Sequence, residues 1–145
     1  MIKLKISVDI SEPMEYLEGM KSRSHDFREP FERARVELEK ANAANFASGG
    51  LMVGKWRRRE GTEAWPLMVK TGVLMGSLTS LTGPPNRIGR TSAQFGTDVE
   101  YAKFHQRGDT EMPSRKIVFE PRGWARKVGE DAAQHIVGMG RYFTK

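Results

Sequence analysis

Ile2, Leu4, Ile6, Val8 and Ile10 alternate with Lys3, Lys5, Ser7 and Asp9. A strand points successive side chains to opposite faces, so this period-two run predicts a strand with one buried face and obliges the chain to build a covering layer. Helical repeats can supply that layer. Ser11 can cap a short helix with Pro13 in its first turn, and Met14, Leu17 and Met20 recur at helical spacing. Asp26 and Glu29 then stand at capping-box spacing, Pro30 falls in a first turn, and Phe27, Phe31, Ala34, Leu38 and Ala41 follow at four, three, four and three. Glu32, Arg33, Arg35, Glu37, Glu39 and Lys40 alternate in sign around its other faces, the mark of a solvated helix surface. Near the end, Ala125, Val128, Ala132, Ile136, Met139 and Phe143 line one face of an expected helix after Gly123. Gly138 and Gly140 weaken its last turns.

Between the helices, Ser48, Gly49 and Gly50 end the long helix. Gly83-Pro84-Pro85-Asn86 reads as a turn because proline fixes φ and restricts its predecessor. It predicts a hairpin with arms at 77–82 and 87–95, Ile88 and Phe95 buried, and residues 116–119 read as a further short strand. The expected fold is α+β: a mainly antiparallel β-sheet packed on one face by a long N-terminal helix and a C-terminal helix, with a long mobile loop over 49–65. At 145 residues with no internal repeat or linker, the chain should form one domain spanning 1–145.

The 49–65 segment carries the densest charge. Gly49 through Lys55 matches the glycine and lysine spacing of a phosphate-binding loop, but Trp56 stands where a hydroxyl must hold magnesium, and the segment follows a helix rather than a strand. Nucleotide binding is not expected. Arg57, Arg58 and Arg59 lie between Trp56 and Trp65, and tryptophan with arginine is the composition of interface hot spots, so these five are the candidate interface residues. A formal charge of +6 fits an acidic protein surface or nucleic acid as partner.

His105 has Asp109 and Ser114 nearby in sequence, yet no nucleophile-elbow signature accompanies them. The bland reading is that His105 and Gln106 satisfy backbone groups at a tight corner. His25, His105 and His135 lack paired metal-ligand spacing, and without cysteine there is no disulfide, thiolate zinc site or cysteine nucleophile. No enzyme activity, cofactor or metal is expected. Neither a signal peptide nor a membrane-spanning apolar run is seen, so synthesis in a cytoplasm and no membrane partner are expected.

Two stretches carry a resemblance. Thr71, Gly72, Leu74, Ser77 and Leu78 are followed by Gly96, Thr97, Val99, Tyr101, Ala102, His105, Gln106 and Gly108, and then by Pro113 and Arg115. In that order they resemble the tail completion, or virion morphogenesis, proteins of tailed bacteriophages. The resemblance runs from about Phe27 to the end; Lys116 and the arginine-rich loop depart from the family pattern. It implies a non-enzymatic structural protein acting in tail completion and head-tail joining at the neck. It further implies a homo-oligomeric ring, a hexamer, that contacts other tail or neck proteins of the virion and is assembled in the host cytoplasm. The alternative from composition is a small basic nucleic-acid-binding module, which lacks a reading helix, an RNP sheet signature or a zinc pattern.

Overall fold

The computed structural model describes residues 11–138. Five α-helices dominate it: α1 (Ser11–Arg23), α2 (Arg28–Ala47), α3 (Val73–Thr79), α4 (Ala102–Arg107) and α5 (Trp124–Val137). Among the described residues the only sheet is one antiparallel pair, β1 (Arg87–Ile88) with β2 (Ala93–Gln94). The expected mainly antiparallel sheet is therefore overturned. The alternating stretch at 2–10 lies outside the described residues.

The two other expected strands are lost for identifiable reasons. Residues 77–79, assigned by sequence to a hairpin arm, belong to α3, which starts after left-handed Gly72 and buries Leu74 and Leu78 one turn apart. The real hairpin sits wholly inside the expected second arm, pairing Arg87 with Gln94 and Ile88 with Ala93. Residues 116–119 form no strand; a side chain, not a neighbouring strand, takes their backbone groups.

Helix α2 is the spine. Its start departs by one position from the expected capping box: the Asp26 carboxylate accepts the Arg28 N–H at 3.1 Å, and Phe27 is the capping residue. The Arg28 guanidinium pairs with the same carboxylate and holds its pKa down to about 2. At the far end, Gly49 N–H donates to Phe46 O and Gly50 N–H to Asn45 O, closing the helix with the nested bonds of a Schellman turn. Six turns of chain are thereby presented to two different sets of partners.

Along its N-terminal half, α2 meets α5, and α5 in turn meets α1. Trp124 Nε1 donates to Ala34 O at 3.3 Å, Arg33 pairs with Asp131 at 2.6 Å, and Lys127 pairs with Glu37. Arg23, at the end of α1, donates to Ile136 O at 3.0 Å, placing a cation on the negative end of α5 where the last carbonyls have no helical partner. The helices expected to cover a sheet therefore cover one another. Gly138 ends α5 in the left-handed region.

The C-terminal half of α2 packs on α3. Asn42 Nδ2 donates to Leu78 O at 2.7 Å, and Glu39 accepts the Leu81 N–H at 2.7 Å while pairing with Arg35. Beyond it lies the core of Phe46, Trp56, Leu74, Leu78, Ala102 and Ile117. Residues separated by up to 71 positions in sequence meet there, since Phe46 comes from α2, Leu74 from α3 and Ile117 from the segment after α4.

Candidate functional site

The chain turns sharply after α4. Gly108 has φ +71, and a Cβ there would lie 2.6 Å from Ser114 N and 2.8 Å from Met112 O, so the backbone of the returning strand of chain occupies the space of any side chain. Asp109 closes the loop, its Oδ1 accepting the N–H groups of Glu111 and Met112. Pro113 leads back, and Arg115 N–H then donates to His105 O at 2.7 Å.

Gln106 replaces a strand at this corner. Its Oε1 accepts the N–H groups of Ile117 and Val118 at 2.8 and 3.0 Å, and its Nε2 donates to Val118 O at 2.8 Å. One amide side chain thus serves three main-chain groups. Gln106→Leu keeps the volume but strands the Ile117 N–H, whose residue is 1% exposed, at a cost of about 2–3 kcal/mol. A urea midpoint unchanged from wild type would show that water replaces the amide.

Arg115 is 6% exposed. Its Nε donates to Arg57 O at 3.0 Å, which ties the basic segment to the corner. Among the described residues no carboxylate forms an ion pair with it. Burial first, then the charges of Arg59 and Arg57, lower its pKa from the ordinary guanidinium value.

A pocket of about 390 Å³ opens beside this guanidinium. It is lined by Thr71, Gly72 and Leu74 from the start of α3, by Trp65, Leu67 and Met68 just before it, and by Tyr101, His105 and Arg115. Arg59 and Lys70 complete the lining, with their cationic groups 5.7 and 5.1 Å from the Trp65 ring centroid. The lining contains three cations and no carboxylate. Such a pocket attracts an anionic group carried on an apolar body.

The His105 ring stands edge-on to Tyr101 at 6.1 Å, and its buried Nδ1 has no hydrogen-bond partner. Desolvation, and then the Arg115 cation, depress its pKa below 6.5, so the folded chain favours the neutral imidazole. Its contribution to stability is present in full above pH 6.5 and is lost as pH falls through the lower folded-state value. Asp26 governs a separate, more acidic window, where stability held above 3.8 is lost as pH falls toward about 2. Urea midpoints should therefore fall more steeply on mild acidification for wild type than for His105→Gln. Parallel profiles between about pH 7 and 5 would remove this role from His105.

The residues singled out in sequence divide into three groups. Arg59, Trp65, Thr71, Gly72, Leu74, Tyr101, His105 and Arg115 come together at the pocket. Arg57, Arg58 and Pro113 face an adjoining cleft that also holds Glu60, Asp109 and Glu111. Trp56 and Gly96 stand apart. Trp56 is 4% exposed, its Nε1 donating to Lys116 O at 2.8 Å, so it is a core side chain rather than part of an open surface. Gly96 N–H donates to Asn86 Oδ1 at 2.8 Å, fixing the exit of the hairpin.

Nor is residues 49–65 a featureless loop. After a 3-10 turn at Leu51–Val53, the Lys55 and Trp56 N–H groups return to Gly50 O and Gly49 O, both at 2.8 Å. Arg59 reaches Trp65 O at 2.5 Å and Glu63 at 3.4 Å. Sequence reasoning missed Leu67, Met68 and Lys70 as pocket residues. Their adjacency to Thr71-Gly72 was the available signal.

Among the described residues there is no cluster of three or more metal-ligating His, Asp or Glu side chains, and no helix is long and apolar enough to cross a membrane. No protein-family model, curated protein or solved structure matches the chain.

Proposed function

We propose that the protein is a non-enzymatic structural component of a tailed-phage virion, acting as a ring in tail completion and head-tail joining at the neck. The observation that carries this reading is the work done by the motif residues. Gln106, Gly108 and Arg115 are spent on main-chain geometry at one corner. Thr97 and Ser77, from the two halves of the motif, share a hydroxyl contact at 2.7 Å. Residues that hold a shape, with no acid and base pair converging on the pocket, suit a protein whose product is an assembly.

Exposed apolar side chains occur on the elements that carry the motif. Val73 in α3, Tyr101 and Phe104 at α4, and Val118 beyond the corner all face solvent in the single chain, and exposed large apolar groups of this kind offer contact area to a partner. The basic cleft beside it mixes Arg57, Arg58 and Arg59 with Glu60, Asp109 and Glu111, which favours protein contacts over a phosphate strip. The reading places the protein in the virion, assembled in the host cytoplasm.

The test is a phage carrying Arg115→Ala in this gene, examined by negative-stain microscopy. Heads and tails should accumulate unjoined, and wild-type protein added to the lysate should restore infectious particles. Normal particle yield from a phage lacking the gene altogether would end this reading.

A further inference from the structure

Arg115 presents an unusual electrostatic problem. A buried charge is costly unless a counter-charge accompanies it, and here no carboxylate among the described residues pairs with the guanidinium, while Arg59 and Arg57 act on it with the same sign. Lys70 adds a third cation to the pocket lining without an ion-pair partner among the described residues. Arg59 alone has a carboxylate, Glu63, at 3.4 Å. Among the described residues, only one of the three pocket cations has a carboxylate paired with it.

The opposite composition lies on α1. Glu12, Glu15 and Glu18 are exposed and form no ion pair among the described residues, and the helix carries no cation before Lys21. Met14 and Leu17 are 48% and 56% exposed, and no residue of α1 is buried. Met14, Leu17 and Glu18 fall at i, i+3 and i+4, so two apolar side chains and a carboxylate share one face. Helix α1 packs on α5 through Arg23, whereas the pocket lies among α3, α4 and the segment before α3, so the two features belong to different parts of the molecule.

We propose that the Met14, Leu17 and Glu18 face of α1 in one copy seats against the pocket lined by Lys70, Arg59 and Arg115 in a second copy. The apolar pair meets Leu67 and Met68, and the carboxylate compensates the cations at the pocket. Because the two surfaces differ, the contact is heterologous: each copy offers its helix forward and its pocket backward, and repetition closes a ring when the rotation allows. The contact deepens the ring reading and depends on it only for closure. Nucleic acid fits less well, because the Trp65 ring on which a base would stack already engages two cations.

The experiment is a charge swap read by sedimentation velocity and native mass spectrometry across a concentration series. Lys70 and Glu18 are both exposed, so their replacement leaves the core intact. Wild type should self-associate, Glu18→Lys and Lys70→Glu should each weaken association about tenfold, and the two changes combined should recover most of the loss. Leu17→Asp should weaken it without being rescued by Lys70→Glu. A wild-type monomer at every concentration overturns the contact, as does self-association indifferent to these changes or a double swap no better than the singles. Lys70-dependent binding of a short single-stranded oligonucleotide by a monomeric wild type would reassign the pocket to phosphates. Any of these failures leaves the unjoined-particle test of the phage reading standing, while rescued association with normal particle yield from a gene deletion would keep the contact and discard the phage role.

Discussion

Trp56→Ala is expected to remove about 4 kcal/mol of folding stability, the middle of the range for truncating a large aromatic in a core. The side chain is almost wholly buried, stands edge-on to Phe46 with ring centroids 5.3 Å apart, and donates to Lys116 O. Truncation opens a cavity between α2, α3 and the segment after α4, and it removes the indole hydrogen bond that ties the 49–65 segment to Lys116. Against a total of about 5–15 kcal/mol for an ordinary domain, the loss is large enough to populate unfolded chain at 37 °C. Trp56→Phe retains the edge contact and most of the apolar area, so it should cost about 1–2 kcal/mol. Urea unfolding of the two variants measures both. If Trp56 served as an exposed partner-binding residue, Trp56→Ala would leave the free chain's midpoint unchanged and reduce only its assembly.

Why sequence reading put Trp56 on a surface is a matter of range. A tryptophan beside three arginines in a glycine-bounded segment has no apolar periodicity, and its local composition is that of an interface. Its burial is decided by Gly50, six positions back, and by Lys116, 60 positions on, and neither is visible in a local pattern. The helices were legible for the converse reason. Capping residues and periodicity are local, so α1, α2 and α5 lie where Ser11, Pro30 and Gly123 place them, and α2 ends at the stop made by Ser48, Gly49 and Gly50. Its apolar count stops at Ala41, but its buried positions continue through Asn42, Asn45 and Phe46, and two asparagines on a buried face break the pattern that sequence reading follows.

The sheet failed on different grounds. Residues 116–119 have strand composition, which propensity detects, but what pairs with such a segment is not a property of the segment. Here the partner is the Gln106 amide, so of the two polar side chains expected to serve backbone groups at the corner Gln106 does so, and no strand is needed. His105 completes the contrast: its carbonyl serves the corner by accepting from Arg115, while its imidazole holds a buried nitrogen without a partner. The pocket was partly visible as a list of residues, Thr71, Tyr101, His105 and Arg115 among them, but its charge was not. That required Lys70 and Arg59 to be brought to one place with a buried Arg115.

Gly50→Ala is expected to cost about 3 kcal/mol, from two physically separate sources. Gly50 has φ +88, where any Cβ collides with its own backbone at a cost of about 1–2 kcal/mol. A Cβ built there also lies 2.4 Å from Cδ1 of Trp56 and 2.5 Å from Cγ, and the indole cannot retreat because Phe46 lies at its edge and Lys116 O holds its nitrogen. Overpacking of that kind adds about 1–3 kcal/mol. The two sources separate in a double-mutant cycle. In the Trp56→Ala background the steric part disappears, since the ring is gone, and only the backbone part remains, so Gly50→Ala should then cost about 1–2 kcal/mol. Gly49 supplies the control: it too has positive φ, at +68, but a Cβ there meets nothing within 4 Å, so Gly49→Ala should show the backbone cost alone in either background. Additive losses for Gly50→Ala and Trp56→Ala would mean that the glycine does not make room for the indole. The close of α2 and the seat of Trp56 would then be independent features rather than one device that turns the chain back onto its core.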